Sequence, residues 1–133
     1  MKKVILLLFF LLLVSGCGFK PSDEDIVSRN SPGITNYNTF LKFVENVEQG
    51  REDEIRIVTY MTERDPILSD LEFNGGTITY TRDTSRADSK GGINDTVACK
   101  SIEVEDTIYN TTVYYVDECE ETNLSTKILE VWN

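Results

Sequence analysis

From Glu54 onward the apolar side chains of this chain recur with a period of two, and that alternation restricts the fold more than any other feature. Apart from Arg56 and Met61, residues 55–61 are β-branched or aromatic, on both faces, as expected of a central strand. After Pro66, the side chains of Ile67, Ser69, Leu71 and Phe73 alternate with Leu68, Asp70 and Glu72. Asn74-Gly75 follows, a pair suited to the positive φ angles of a tight hairpin turn. A two-residue loop there sets Leu71 opposite Ile78. Residues 82–95 are polar and glycine-bearing and read as a long loop. Strands resume at 96–105 and 112–119, and a last one covers 126–132. A turn centred on Tyr109 sets Ile102 against Val116, Val104 against Tyr114, and Cys99 against Cys119, so one register pairs apolar residues and cysteines together.

Before these strands the period changes. Phe40, Phe43, Val44 and Val47 form an i, i+3, i+4, i+7 stripe, widened by Leu41, with Lys42, Glu45, Asn46 and Glu48 on the other side. That is an amphipathic helix, startable by Asn36 or Asn38 and stopped by Gly50. The expected fold is α+β, one N-terminal amphipathic helix packed on an antiparallel sheet of about five strands.

The first residues follow a different logic. Met1-Lys2-Lys3 precedes an unbroken apolar run of eleven residues, 4–14. A helix needs roughly 20 apolar residues to cross a bilayer, so this run suits a secretory signal better than a span. It ends in Val14-Ser15-Gly16-Cys17, which resembles the bacterial lipobox, where small residues precede a cysteine that is diacylglycerated before cleavage. The expected organisation is a signal at 1–16, a lipid-anchored flexible tether at 17–35, poor in apolar residues, and one α+β domain at 36–133. The anchor on Cys17 implies the extracytoplasmic face of the cell membrane.

The net charge of −10 becomes −12 once Lys2 and Lys3 leave with the signal. Nucleic-acid binding needs clustered Lys and Arg to displace counterions, so nucleic acid is not an expected partner. The same acidity repels anionic headgroups, and the domain is expected to stand off the membrane on its tether. With Cys17 assigned to lipid, Cys99 and Cys119 remain as an even pair in an oxidising compartment, which favours a disulfide.

The chain has no histidine. Histidine-based nucleophilic catalysis and histidine metal sites are therefore excluded. Carboxylate pairs for glycoside hydrolysis are available in Glu63, Asp65 and Asp70, and in Glu103 and Glu105, but 23 acidic residues produce such neighbours by chance. Asp83, Asp88, Asn94 and Asp95 do not follow the spacing of a known calcium loop. No cofactor, metal or catalytic residue is expected.

The stretch 52–68, with Ile-Arg-Ile-Val-x-Tyr and Asp-Pro-Ile-Leu at its centre, followed by Asp70-Leu71-Glu72-Phe73-Asn74-Gly75 and Ile78-Thr79-Tyr80, resembles an uncharacterised family of small lipoproteins from Bacillus-like Gram-positive bacteria. The resemblance covers about 38–132. It implies location and domain type, and no activity. The expected role is a non-catalytic binding module for an envelope protein or peptide. Alternatives are a protective lipoprotein of the immunity or phage-exclusion type, suggested by family setting, and a carboxylate-based cell-wall glycosidase.

Overall fold

The computed structural model describes residues 19–29, 33–62, 64–86, 92 and 94–133. The elements are β1 (Ile26–Ser28), β2 (Ile34–Thr35), α1 (Tyr37–Glu48), β3 (Asp53–Tyr60), β4 (Pro66–Phe73), β5 (Ile78–Asp83), β6 (Asn94–Cys99), β7 (Ser101–Asp106), β8 (Thr111–Asp117) and β9 (Lys127–Trp132). A six-stranded sheet has the order β2-β1-β3-β4-β5-β6, and a three-stranded sheet the order β7-β8-β9. The fold is thus mostly β, with nine strands in two sheets and one helix among the described residues, and the expected α+β arrangement of a helix on about five strands is corrected.

Three local causes account for the difference. First, the expected flexible tether contributes two strands. Ile26 is completely buried and pairs with Ile57, so β1 runs parallel to β3. Parallel neighbours need a crossover connection, which β2 and α1 supply. Asn36 secures the entry: its Nδ2 donates to the carbonyls of Asp23 and Asp25, at 2.8 and 2.9 Å. Two apolar residues flanked by polar ones are too short a pattern to announce a strand. Second, the expected strand 96–105 breaks at Lys100 and changes sheets, with β6 on one side and β7 on the other. Third, with β6 in the large sheet, the residues after it form a sheet of their own.

The helix matches its expected stripe. Phe40 and Phe43 are fully buried, Val44 and Val47 pack at the margin, and Leu41 is exposed. Asn36 precedes the helix in the left-handed conformation without a side-chain cap bond, and its Nδ2 bonds the N-terminal segment. The helix covers the inner face of the large sheet, where Ile57, Leu71, Phe73, Ile78, Tyr80, Val97 and Cys99 meet Tyr114, Val116 and Leu129 of the small sheet. Tyr114 packs edge-on against Phe40 at 4.7 Å, and its hydroxyl bonds that of Tyr37 at 2.6 Å. Burial first, and then that bond, push the Tyr114 phenol above its ordinary pKa.

The β4–β5 hairpin keeps the expected face but not the expected register. Phe73 pairs with Ile78 and Leu71 with Tyr80, around a four-residue loop at 74–77. Asn74 Oδ1 accepts from the backbone N–H groups of Gly76 and Thr77, and Gly75 takes φ 100°. That side-chain brace makes the longer loop stable. A slip of two residues leaves every side chain on its original face, so the inward pattern survives. At the other hairpin, the turn centred on Tyr109 forms as expected: Ile102 pairs with Val116 and Val104 with Tyr114. Asn110 takes φ 60° there.

Candidate functional site

The large sheet buries one face and turns the other outward. Cross-strand pairing puts Glu54 beside Glu72 and Thr79, and Arg56 beside Asp70, Thr81 and Thr96, all on that outer face. All of these but Thr96 line an open groove of about 730 Å³, together with Asp23, Glu24, Asp25, Asn36 and Thr39. Arg56 lies across it in a two-pronged pair with Asp70: Nε donates to Oδ1 at 2.6 Å and Nη2 to Oδ2 at 3.0 Å. Those bonds raise the guanidinium pKa further. The hydroxyls of Thr81 and Thr96 bond at 3.0 Å. Arg56, Asp70, Thr81 and Thr96 are each held by a strand, so this part of the groove is shaped before any ligand arrives.

One contact in the groove opposes folding. Glu54 and Glu72 are direct cross-strand partners, both exposed. Like charges placed opposite each other destabilise a ladder. Arg56 is already committed to Asp70. The groove therefore presents carboxylates that a cationic group from outside would relieve.

Toward the C-terminal end of β3 the same outer face becomes apolar. Val27, Val58 and Leu68 are buried there beneath Phe19 and Tyr60. The Arg29 guanidinium lies 4.0 Å above the Tyr60 ring, and that of Arg86 lies 5.0 Å from the Phe19 ring. Asp83, just past this cluster, bonds the Ser85 hydroxyl, which with the Ser85 N–H and Arg86 lowers its pKa.

The residues singled out from sequence disperse over the molecule. Cys17 lies outside the described residues. Cys99 and Cys119 are joined in a disulfide with Cα atoms 3.9 Å apart, at the point where the chain leaves the large sheet for the small one. Two backbone bonds flank it, Lys100 N–H to Asp117 O and Glu120 N–H to Ala98 O.

Of the acidic candidates, Glu63 and Asp88 lie outside the described residues. Asp65 accepts from the Thr62 hydroxyl beyond the end of β3, whereas Asp70 sits in the groove bound to Arg56, so the two do not converge. Glu103 and Glu105 are exposed along β7. Asp83 and Asn94 turn out to be ladder partners, as do Arg82 and Asp95, so the expected loop at 82–95 is trimmed at both ends. Among the described residues no group of three or more acidic, cysteine or histidine side chains is placed to hold a metal ion. No described helix is long and apolar enough to cross a membrane.

Sequence reasoning missed the groove, although its ingredients were visible. Arg56 and Asp70 both fall on the polar positions of their strands, and a hairpin that pairs those strands brings them face to face. The Phe19 cluster carried no comparable signal, because two of its members come from the segment expected to be a tether.

A family model described as Domain of unknown function (DUF4362) matches residues 23–115. The match starts earlier than the expected 38 and takes in β1 and β2, in keeping with their place in the large sheet. No curated protein and no solved structure matches the chain.

Proposed function

This chain belongs to the DUF4362 family, and we propose that it works outside the cytoplasm as a lipid-anchored, non-catalytic binding module for a polypeptide partner. The observation that carries the reading is the groove on the outer face of β3, β4 and β5: wide, open to solvent, and lined mainly by polar side chains, most of them on strands. A shape of that kind suits an extended segment of another chain better than a small substrate, which is held by an enclosed and largely apolar pocket. The opposed Glu54 and Glu72 favour a segment that brings Lys or Arg. The Lys-Lys start, the eleven-residue apolar run and Val14-Ser15-Gly16-Cys17 support attachment through a diacylglyceryl group on Cys17. The absence of histidine supports binding over turnover.

Crosslinking and affinity capture from intact cells tests both parts. The parent chain should retain a basic partner, and the double variant Glu54→Gln, Glu72→Gln should lose it while melting no lower than the parent. Capture unchanged in that variant would overturn the groove as the binding surface. Hydrolysis of cell-wall glycans, abolished by a single carboxylate substitution that leaves the fold intact, would overturn the binding reading altogether. Metabolic labelling with a fatty-acid analogue should mark the parent and not Cys17→Ala.

A further inference from the structure

Lipid attachment at Cys17 has a geometric consequence that the expected tether would have hidden. The chain is already packed against the domain at Phe19, which covers Val27, Val58 and Leu68 together with Tyr60. Only Gly18 separates Phe19 from Cys17. Two residues span at most about 7 Å. The headgroup layer on one side of a bilayer is roughly 5–8 Å deep, from the difference between total and hydrocarbon thickness. A lipid on Cys17 thus leaves the Phe19 end of the domain no room to stand clear of the headgroups.

The surface found at that end suits the position. We propose that the rim formed by Phe19, Arg29, Tyr60, Met61 and Arg86 rests on the phospholipid headgroups of the membrane that carries the anchor. This rests on the reading of Cys17 as the lipidated residue. Met61 is 62% exposed and follows Tyr60 directly. Aromatic rings with a polar edge settle at the level of the headgroups, where one side is apolar and the other wet.

Arg29 and Arg86 are both exposed, each over a ring, and a guanidinium is suited to bond lipid phosphates. Lys20 adds a third exposed cation next to Phe19. Among the described carboxylates beside them, Asp65 accepts from the Thr62 hydroxyl and Asp83 from the Ser85 hydroxyl, and both keep their charge. A chain whose mature charge is −12 thus turns its cationic and apolar side toward the bilayer, which reverses the stand-off expected from net charge. The acidic groove lies farther along the same sheet face, toward the start of β3. The anchor would then hold the domain in one orientation with the groove set back from the lipid.

The test uses the full lipidated chain reconstituted in phosphatidylcholine–phosphatidylglycerol vesicles that contain headgroup spin-labelled lipid. Trp132→Phe removes the native indole. Met61→Trp then reports the rim, and Gly76→Trp reports the hairpin at the far end of β4. A Cβ at Gly76 meets nothing closer than 3.9 Å, so that variant is sterically mild. The eight residues of β4 separate the two reporters by about 25 Å, so the M61W indole should be quenched at least ~3-fold more than the G76W indole. Equal quenching, or none at either position, in a protein that carries its acyl chains and floats with the vesicles would overturn the rim while leaving the anchor intact. Mass analysis showing no lipid on Cys17 would overturn the anchor reading, and the rim with it.

Discussion

Asn36 joins more of this molecule than its size suggests. It takes φ 59°, a conformation that costs most L-residues roughly 1–2 kcal/mol and Asn less, and its amide ties the turn before β1 to the start of α1. Two substitutions separate those roles. Asn36→Gly keeps the backbone conformation and loses the bonds, whereas Asn36→Ala loses both. In urea melts, N36A should be less stable than the parent by about 2–3 kcal/mol, and N36G by about 1 kcal/mol. Equal effects would show that the left-handed conformation contributes nothing. By contrast, the Arg56–Asp70 pair is 42% and 43% exposed, so its contribution to stability is held within about 1 kcal/mol by solvent screening. Its geometry matters more for the shape of the groove than for folding.

At the scale of elements, β1 is the informative case. Three residues long, it lies between β2 and β3 and buries Ile26 completely within the main core. A segment that only tethered the domain would tolerate any substitution. Ile26→Ala should instead cost roughly 2–5 kcal/mol, the range for truncating a buried aliphatic side chain. Glu24→Ala, two positions away and exposed, should change stability by less than about 0.5 kcal/mol. A melting temperature unmoved by I26A would place β1 outside the cooperative fold. The helix makes the complementary point. Its stripe was readable because twelve residues give three turns of repetition. β1 gives a single pair of apolar neighbours, and no period can be extracted from that.

For the whole molecule the decisive contact is the Cys99–Cys119 disulfide. Cys99 closes the last strand of the large sheet, and Cys119 follows the middle strand of the small one. The bond closes a loop with a separation of 20 residues and holds the two sheets together at the corner where the chain passes between them. Replacing both cysteines by serine should lower stability by about 2–4 kcal/mol with the fold retained. Alkylation followed by intact mass analysis should find no free thiol at either position in the oxidised parent. Two alkylated thiols there would show that the corner is not crosslinked. Loss of this bond acts on the docking of the sheets, so the groove, which takes no residue from the small sheet, should keep its partner capture in the serine variant.

Much of the local order was already written in the residue pattern. The positions of β3, β4, β8 and β9, the inward face of each, the helix and its buried phenylalanines, the turn at Tyr109 and the pairing of the cysteines follow from periodicity and turn chemistry, which act over a few neighbouring residues. The reading failed where the deciding interaction was distant. Ile26 becomes a strand only because Ile57 of β3 offers it an edge. The break at Lys100 follows from a change of partner, since β6 continues the large sheet while β7 pairs with β8. The longer loop at 74–77 depends on a brace from the Asn74 side chain to backbone groups, and a two-residue slip is invisible to alternation because it preserves every face. The groove and the Phe19 rim belong to this second class. Each assembles side chains from segments far apart in the chain, and only sheet order brings them to one surface. Sequence periodicity determines which face of an element is buried; tertiary pairing determines which elements are neighbours, because backbone hydrogen bonds between strands carry no sequence code of their own.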